Sequence, residues 1–171
     1  MKKIILVGYM GSGKSTIGKK LAEDLSFPFI DLDDYIEQKE QTSISAIFKN
    51  KGEIHFRKLE HLALREIIDL PQNVILSLGG GTPCYANNHE VLQREDVKSF
   101  YLKGSIKTLA NRLEKEKEHR PILNQDTDDT LETFIAKHLF DRSYFYYQAK
   151  HIISIDDKSV NEIVTDIKAL L

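Results

Sequence analysis

The sequence at residues 4–16 is IILVGYMGSGKST, an apolar run that passes directly into a glycine-rich loop. Residues 8–16 match the phosphate-loop pattern G-x-x-x-x-G-K-[ST], with an expected strand before the loop and an expected helix after it. Glycines let such a loop turn tightly so that its N–H groups point at phosphate oxygens, and the helix adds its positive dipole end. In this pattern the lysine reaches the β- and γ-phosphates and the following hydroxyl ligates Mg²⁺. The sequence therefore predicts binding of a nucleoside triphosphate with Mg²⁺ by Gly11, Ser12, Gly13, Lys14, Ser15 and Thr16.

Short apolar runs alternate with stretches of helical period along the rest of the chain. Strands are expected at 4–7, 29–30, 74–78, 100–102 and 152–155, and helices near 14–25, 34–40, 43–50, 53–69, 87–94, 105–116, 128–148 and 158–170. Strands that alternate with helices predict a parallel sheet with helices on both faces. Continuous apolar strands indicate that both faces are covered. The predicted fold class is therefore α/β, in three layers.

Composition limits the possible classes of function. The 171 residues, 41% of them hydrophobic, fit one domain over residues 1–171. The single cysteine, Cys84, excludes an internal disulfide framework and a cysteine-rich zinc site. A formal net charge of −2 argues against a globally basic nucleic-acid binder. The apolar runs are far shorter than the ~20 residues of a membrane helix, so we expect a soluble, cytoplasmic protein. Among its histidines, His138 is expected to be a hydrogen-bonded core residue.

Two segments do not serve the predicted sheet. Residues 34–60 are expected to form a helical insertion after the second strand, and residues 112–126 a charged excursion. The charge run alone favours a solvated helix end. Alternatively, Arg120 on a mobile segment can act as part of a lid that stabilises transferring charge and expels water. Arg112, at the start of that segment, is a candidate for contact with a nucleotide base.

Carboxylates follow the second strand in the stretch Asp31-Leu32-Asp33-Asp34. Positions i and i+2 of a strand share a face, so Asp31 and Asp33 are expected to point together at the edge where open α/β sheets bind ligands. One carboxylate can approach Mg²⁺ while the other accepts a proton from, or orients, an attacking hydroxyl. Asp34 fits the N-cap of the next helix. The third strand ends without an aspartate, so Asp31, or a water held by Ser77, has to complete the metal shell.

Three further features are candidates for binding the phosphoryl acceptor, and each has a structural alternative. The glycine turn 79–81 either presents N–H groups to a ligand or is an ordinary loop. Arg57 shares a helical stripe with Glu53 and Glu60, which on its own favours a solvated salt-bridge ladder. Arg142 lies within the apolar stripe of its helix, where a guanidinium is costly unless it is paired. Its partner is either an internal carboxylate or an anionic ligand.

Taken in order, these motifs resemble those of the shikimate kinase family nearly from end to end. They are GSGKST at 11–16, DLD at 31–33, FRKLE at 56–60, LSLGGG at 76–81, RP at 120–121, and an arginine and a tyrosine at 142 and 146. The resemblance implies a P-loop kinase fold like that of nucleoside monophosphate kinases, with a five-stranded parallel sheet in the order 2-3-1-4-5. It implies a lid at 112–126 and a substrate-binding insertion at 34–60. The implied activity is transfer of the ATP γ-phosphoryl to the 3-hydroxyl of shikimate, in the route through chorismate to aromatic amino acids.

The resemblance also implies the roles of individual residues. The acceptor shikimate would be bound by Asp33, Arg57, Gly79, Gly80 and Arg142, with both arginines on its carboxylate and the aspartate at its hydroxyls. The phosphates would be contacted by Lys14 and Arg120, the adenine by Arg112, and Mg²⁺ by Ser15 and Asp31, directly or through water. The implied catalytic set is Asp33, Lys14 and Arg120. The implied partners are ATP and shikimate, bound by a monomer with no nucleic-acid or membrane partner.

The chain departs from the family pattern at two positions, and two other functions are alternatives to the one that the family implies. Ile122 stands where the family usually has leucine, and Tyr144 where it often has proline. A related small-molecule kinase, for gluconate or a nucleoside monophosphate, would share the phosphate loop but not the whole set of acceptor residues. A GTP-dependent switch would need an N-K-x-D and a D-x-x-G motif, and the sequence contains neither.

Overall fold

The protein is described by a computed structural model that covers residues 2–116 and 129–171. These residues form a five-stranded parallel sheet of β1 (Lys3–Val7), β2 (Phe29–Asp31), β3 (Val74–Ser77), β4 (Val97–Lys103) and β5 (His151–Ser154). The strands lie in the order β2-β3-β1-β4-β5, which confirms the α/β class and the expected order. The fourth strand begins three residues before the predicted start at residue 100. Its polar Ser99 is buried and donates a hydrogen bond to the Leu92 carbonyl, so polarity did not end the strand there.

Helices cover both faces of the sheet. In the part of the chain that the structure describes they are α1 (Lys14–Leu25), α2 (Leu32–Glu40), α3 (Ile44–Lys51), α4 (Glu53–Ile68), α5 (Ile106–Glu116), α6 (Leu131–Tyr146) and α7 (Val160–Lys168). The α-helix expected near 87–94 is instead a 3₁₀ helix at Asn88–Gln93, after a shorter one at Thr82–Cys84. The buried Asn88 side chain donates to the Thr82 carbonyl and ties these two turns together. No helix among the described residues is both long and apolar enough to cross a membrane.

The central strand β1 is buried along its whole length, as its continuous apolar run predicts. It pairs with β3 on one side and β4 on the other, so water reaches neither its edges nor its faces. Even Lys3 is buried, and its ammonium donates hydrogen bonds to the carbonyls of Leu70 and Gln72. Parallel strands all end at the same edge, and the phosphate loop follows β1 at that edge.

The helix α2 begins directly after β2, two residues earlier than predicted. Asp31 is the N-cap of α2, and its Oδ1 accepts hydrogen bonds from the N–H groups of Asp33 at 3.1 Å and Asp34 at 3.4 Å. The predicted cap at Asp34 is therefore wrong, and so is the placement of Asp33 on an extended strand. Because the helix already begins at Leu32, Asp33 lies in its first turn. Both Asp31 and Asp33 nevertheless line the same cavity.

Close packing of α1 on β2 depends on Gly18. A Cβ atom at this position would lie 2.3 Å from Cε2 of Phe29, the first residue of β2. The missing side chain lets the helix that follows the phosphate loop approach the strand that ends in Asp31. The spacing of these two parts of the cavity therefore depends on one glycine.

We expect Gly18→Ala to lower the free energy of unfolding by about 1–3 kcal/mol, because the added methyl group must displace the Phe29 ring. A loss of stability would be informative, because helix propensity alone favours alanine over glycine by about 1 kcal/mol and would make the variant more stable. Urea unfolding of Gly18→Ala, Phe29→Leu and the double variant measures the effect. The double variant should recover part of the loss through the shared contact. A Gly18→Ala protein as stable as the wild type would contradict this packing.

Candidate active site

A cavity of about 770 Å³ opens at the carboxyl edge of the sheet, where β1, β2 and β3 end. Residues predicted from distant parts of the sequence meet in its wall: Gly11, Gly13, Lys14, Ser15, Thr16, Asp31, Asp33, Arg57, Gly79, Gly80, Arg112 and Arg142. Ser12 differs from its neighbours because its side chain is fully buried beneath the loop. Arg120 and residues 117–126 of the expected lid lie outside the described residues.

The phosphate loop curls around its own lysine. Lys14 Nζ donates to the Gly8 carbonyl at 2.8 Å and to the Tyr9 carbonyl at 3.1 Å. Gly11 and Gly13 have φ angles of 80° and 89°, in the left-handed region that glycine adopts at little cost. The second of these glycines is the N-cap of α1, so the positive end of that helix faces the cavity. This arrangement is suited to a chain of phosphates.

Oxygen ligands cluster beside the loop. Ser15 Oγ donates to Asp31 Oδ2 at 2.9 Å, and Asp31 is paired in register with Ser77, whose side chain also lines the cavity. In residues 2–116 and 129–171 no three His, Cys, Asp or Glu side chains are grouped to hold a metal ion. Mg²⁺ is commonly bound by one or two carboxylates together with substrate phosphates rather than by a protein cage. A hydroxyl and a carboxylate at the phosphate loop fit that mode.

Asp33 carries the most perturbed carboxyl group of this wall. Burial, followed by the negative charges of Asp31 and Glu60, raises its pKa from 3.8 to about 6, while Lys14 acts in the opposite direction. A carboxyl group with a pKa near 6 is ionised at neutral pH but holds a proton far more readily than an ordinary aspartate. That property is typical of groups that accept a proton during catalysis.

The glycine turn 79–81 brings three predicted residues together. A Cβ atom added to the first glycine would lie 3.0 Å from Asp33 Oδ1. A Cβ atom on the second glycine would lie 3.3 Å from Arg142 Nη1, and a Cβ atom on the third would lie 2.9 Å from Arg57 Nη2. The three glycines are therefore needed for close approach: any side chain would occupy the space in which these charged groups lie. The turn separates one carboxylate from two guanidinium groups within a single wall of the cavity.

The ladder of Arg57 with Glu53 and Glu60 does form, with Arg57 Nε 3.6 Å from Glu53 Oε1, but the part formed with Glu60 is buried rather than solvated. The Arg57 side chain is 17% exposed and its partner Glu60 1% exposed, and Nη1 donates to both Glu60 oxygens at 2.9 and 3.1 Å. The Tyr85 ring covers the guanidinium with its centroid at 3.9 Å. Thr82 Oγ1 also donates to Glu60, at 2.6 Å. The guanidinium is thus fixed by a buried ion pair and an aromatic face, with Nη2 directed at the glycine turn.

Arg142 has the opposite surroundings. Within the described ranges no carboxylate lies at ion-pair distance from it, which favours an anionic ligand over an internal partner. Its guanidinium carbon lies 5.8 Å from the centroid of the Tyr9 ring. Tyr146, whose pKa burial raises, stays protonated and donates to the Gly80 carbonyl at 2.6 Å, beside the arginine. A half-buried cation in a polar wall can accept a negatively charged group from solution.

Arg112 lies at the other end of the cavity. Its Nη1 donates to the Gly11 carbonyl at 3.3 Å, so it touches the phosphate loop directly. Val160 and Ile163 of α7 line the same region. A flat cation and apolar side chains beside a phosphate loop are suited to the base end of a nucleotide.

Sequence reasoning missed the importance of Glu60, Thr82 and Tyr85. For Glu60 a signal was present: it follows the buried Phe56 by four residues and precedes Leu64 by four on the apolar face of α4. A charged group on the apolar face of a helix needs a partner, and this holds for Glu60 as it does for Arg142. Thr82 and Tyr85 come from the 3₁₀ segment, for which the sequence offers no comparable periodicity.

Comparison with known proteins gives a consistent result. The sequence model of a family described as shikimate kinase matches residues 10–171. A shikimate kinase of Flavobacterium johnsoniae is 50% identical over 171 residues, covering 100% of this chain and 99% of its own. The crystal structure of shikimate kinase from Bacteroides thetaiotaomicron has a TM-score of 0.90 and 39% identity, covering 99% of this chain and 97% of its own. Shikimate kinase from Acinetobacter baumannii in complex with shikimate has a TM-score of 0.87 and 31% identity, with coverages of 99% and 92%.

We expect Asp33→Asn to stabilise the ligand-free protein at pH 8 and the gain to disappear towards pH 4. The folded-state pKa of about 6 lies above the ordinary 3.8, so the folded protein binds the proton more tightly and loses stability as pH rises through this interval. The full change in the pKa of Asp33 corresponds to a difference of at most about 3 kcal/mol in the free energy of unfolding. Urea unfolding between pH 4.5 and 8 measures it. The more exposed Asp34, whose pKa is also raised but less, should show the same trend more weakly when it is replaced by Asn. A wild type more stable than Asp33→Asn at pH 8 would overturn the assignment.

Proposed function

The chain belongs to the shikimate kinase family, and from this premise we propose how its cavity works. The activity is transfer of the γ-phosphoryl group of ATP to the 3-hydroxyl of shikimate, giving shikimate 3-phosphate and ADP in the route to chorismate and the aromatic amino acids. The observation that carries the proposed mechanism is the convergence of Asp33, Arg57 and Arg142 on the glycine turn 79–81.

The two arginines bind the carboxylate of shikimate in this proposal. Arg142 supplies a cation with no carboxylate partner among the described residues, and Arg57 supplies Nη2 from a guanidinium already held by Glu60. The glycine turn 79–81 contributes backbone groups along the ring, with Gly79 and Gly80 nearest. Asp33, on the other side of the turn, contacts the hydroxyls. A substrate with an anionic end and a hydroxylated end matches this order of charges.

The phosphate loop holds ATP, with residues Gly11 to Thr16 around the phosphates. Lys14 exchanges its bonds with the loop carbonyls for bonds with phosphate oxygens, and Arg112 lies against the nucleotide. Ser15 and Asp31 would hold Mg²⁺, directly or through water, and the bound ion would supply positive charge beside the phosphates. Asp33 orients the attacking 3-hydroxyl and accepts its proton. Arg120, outside the described residues, is proposed as the arginine of the 112–126 lid that contacts the transferring phosphoryl group.

We further propose a cytoplasmic monomer of one domain, with residues 34–60 as the substrate-binding insertion and no nucleic-acid or membrane partner. Support comes from the fact that acceptor and nucleotide groups meet within one chain, without a second copy. The formal net charge of −2 gives no general attraction to nucleic acid. Sedimentation of the protein with and without its substrates tests the oligomeric state.

Arg142→Ala should weaken shikimate binding about 10- to 150-fold, with ATP binding and stability little changed, because one charged hydrogen bond to the carboxylate is lost. Arg57→Ala should weaken shikimate binding as well, but it also leaves Glu60 buried without its partner. We therefore expect it to lower the free energy of unfolding by up to about 3 kcal/mol. Calorimetry with each ligand and urea unfolding of both variants separate the two effects. Unfolding of Arg142→Ala, or unchanged shikimate affinity, would contradict the proposed ligand role.

Lys14→Ala should nearly abolish formation of shikimate 3-phosphate while the far-ultraviolet circular dichroism stays unchanged. The lysine contacts the phosphates, and its removal leaves the transferring charge without its nearest protein cation. Phosphorus NMR of the ATP and shikimate mixture measures the product. Removal of Mg²⁺ by chelator should also stop the wild type, and added Mg²⁺ should restore it. Wild-type turnover by Lys14→Ala would overturn the phosphate role.

A further inference from the structure

Tyr9 lies between the phosphate loop and α6. Its side chain is 1% exposed, and its hydroxyl lies 2.8 Å from Nδ1 of His138. His138 is one helical turn before Arg142 on α6, and the Arg142 guanidinium lies over the same Tyr9 ring. One aromatic side chain of the loop therefore touches two side chains of α6, of which the second belongs to the proposed shikimate site.

The direction of this hydrogen bond follows from the chemistry of its partners. Burial raises the pKa of Tyr9 to about 12, so its hydroxyl stays protonated. Nδ1 of His138 is its one hydrogen-bond partner among the described residues, so the buried O–H is satisfied only by donating to that nitrogen. His138 Nδ1 must then be the acceptor, which requires a neutral imidazole with its proton on Nε2. Burial and the charge of Arg142 lower the pKa of His138, against the opposing effect of Asp141, so the neutral form is favoured. The Phe134 ring packs on the imidazole with centroids 4.4 Å apart and holds it in place.

The side chains of α6 are only partly buried, although Leu131 and Leu139 pack against the core and the Tyr146 ring packs on Tyr101. Within this helix, which is described in full, Ile135 and Tyr146 are the buried residues, and Phe140 is 89% exposed. Arg142 has no carboxylate partner in the described part of the chain to hold its guanidinium before a ligand arrives. Two polar contacts of α6 bear on where this guanidinium lies. The Tyr9–His138 hydrogen bond ties the helix to the phosphate loop, and the Tyr146 hydroxyl ties it to the Gly80 carbonyl.

We propose that His138 is a positioning residue for shikimate: by accepting the hydrogen bond of Tyr9 it holds α6 against the phosphate loop and places Arg142 beside the glycine turn. This inference rests on the proposed role of Arg142. His138 acts through the arginine and takes no part in proton transfer. Lys14 Nζ donates to the Tyr9 carbonyl, a backbone contact that removal of the Tyr9 hydroxyl leaves in place.

The test uses Tyr9→Phe, which removes the donor, and His138→Leu, which removes the acceptor. Each should raise the KM for shikimate about 3- to 10-fold, the range expected for loss of one hydrogen bond, with kcat and the KM for ATP changed less than about two-fold. The double variant should be no worse than either single variant, because both lose the same bond. His138→Asn, whose Oδ1 can accept near the Nδ1 position, should recover much of the affinity. Phe140→Ala, on the exposed face of the same helix, is the control and should change neither KM.

Measurements on the Arg142→Ala protein distinguish the positioning role of His138 from the proposed role of Arg142. In Arg142→Ala protein, His138→Leu should have no further effect on shikimate binding measured by calorimetry. If Arg142→Ala itself leaves shikimate affinity unchanged, the proposed function of Arg142 fails. If Arg142→Ala weakens binding but Tyr9→Phe and His138→Leu do not, the positioning role alone fails. Equal losses of ATP and shikimate affinity, or additive losses in the double variant, would also overturn it.

Discussion

Parallel pairing at the centre of the sheet is the constraint on which the site depends. Ser77 at the end of β3 stands opposite Leu6 of β1 on one side and Asp31 of β2 on the other. Because all three strands run the same way, the phosphate loop, the Asp31 cap and the glycine turn emerge next to one another at one edge. A shift of one residue in either register would reverse which side chains face the cavity. The buried apolar side chains of β1 and β3 prevent that shift, so the core of the fold also sets the geometry of the site.

The carboxylates in the wall of the cavity repel one another and are partly buried, which lowers stability, and the rest of the fold has to offset this loss. Asp31, Asp33 and Glu60 are close enough that their charges and burial raise the pKa of Asp33. A protein selected for stability alone would replace such a carboxylate, since like charges in a half-buried site are unfavourable. In the proposed mechanism the carboxylate is useful because the same environment makes it a better proton acceptor for the attacking hydroxyl. Stability and function thus make opposite demands at this residue.

The residue patterns predicted the fold class and most members of the cavity wall, and the family resemblance implied the strand order. The errors have identifiable physical causes. Asp33 was placed on a strand because a period of two was assumed, but Asp31 caps a helix one residue later. Arg57 was judged from neighbours on its own helix, whereas its exposure is set by Tyr85 and the 3₁₀ segment. His138 was expected to be hydrogen-bonded, yet its partner lies 129 residues away along the chain. Contacts of that range depend on the assembled fold, and no local periodicity encodes them.

The two arginines of the acceptor site differ in what they can contribute to an anion. Arg57 and Glu60 together carry no net charge, so this pair offers a rigid, directed hydrogen bond but little long-range attraction. Arg142 retains its full charge, and its field in a partly desolvated cavity is stronger than it would be in water. In the proposed site, selection of a carboxylate over a neutral group therefore depends mainly on Arg142, while the angle at which the carboxylate is held depends mainly on Arg57. An arginine free to meet the substrate is also one whose position the rest of the protein must define, which is why the contacts of α6 with the phosphate loop matter for acceptor binding.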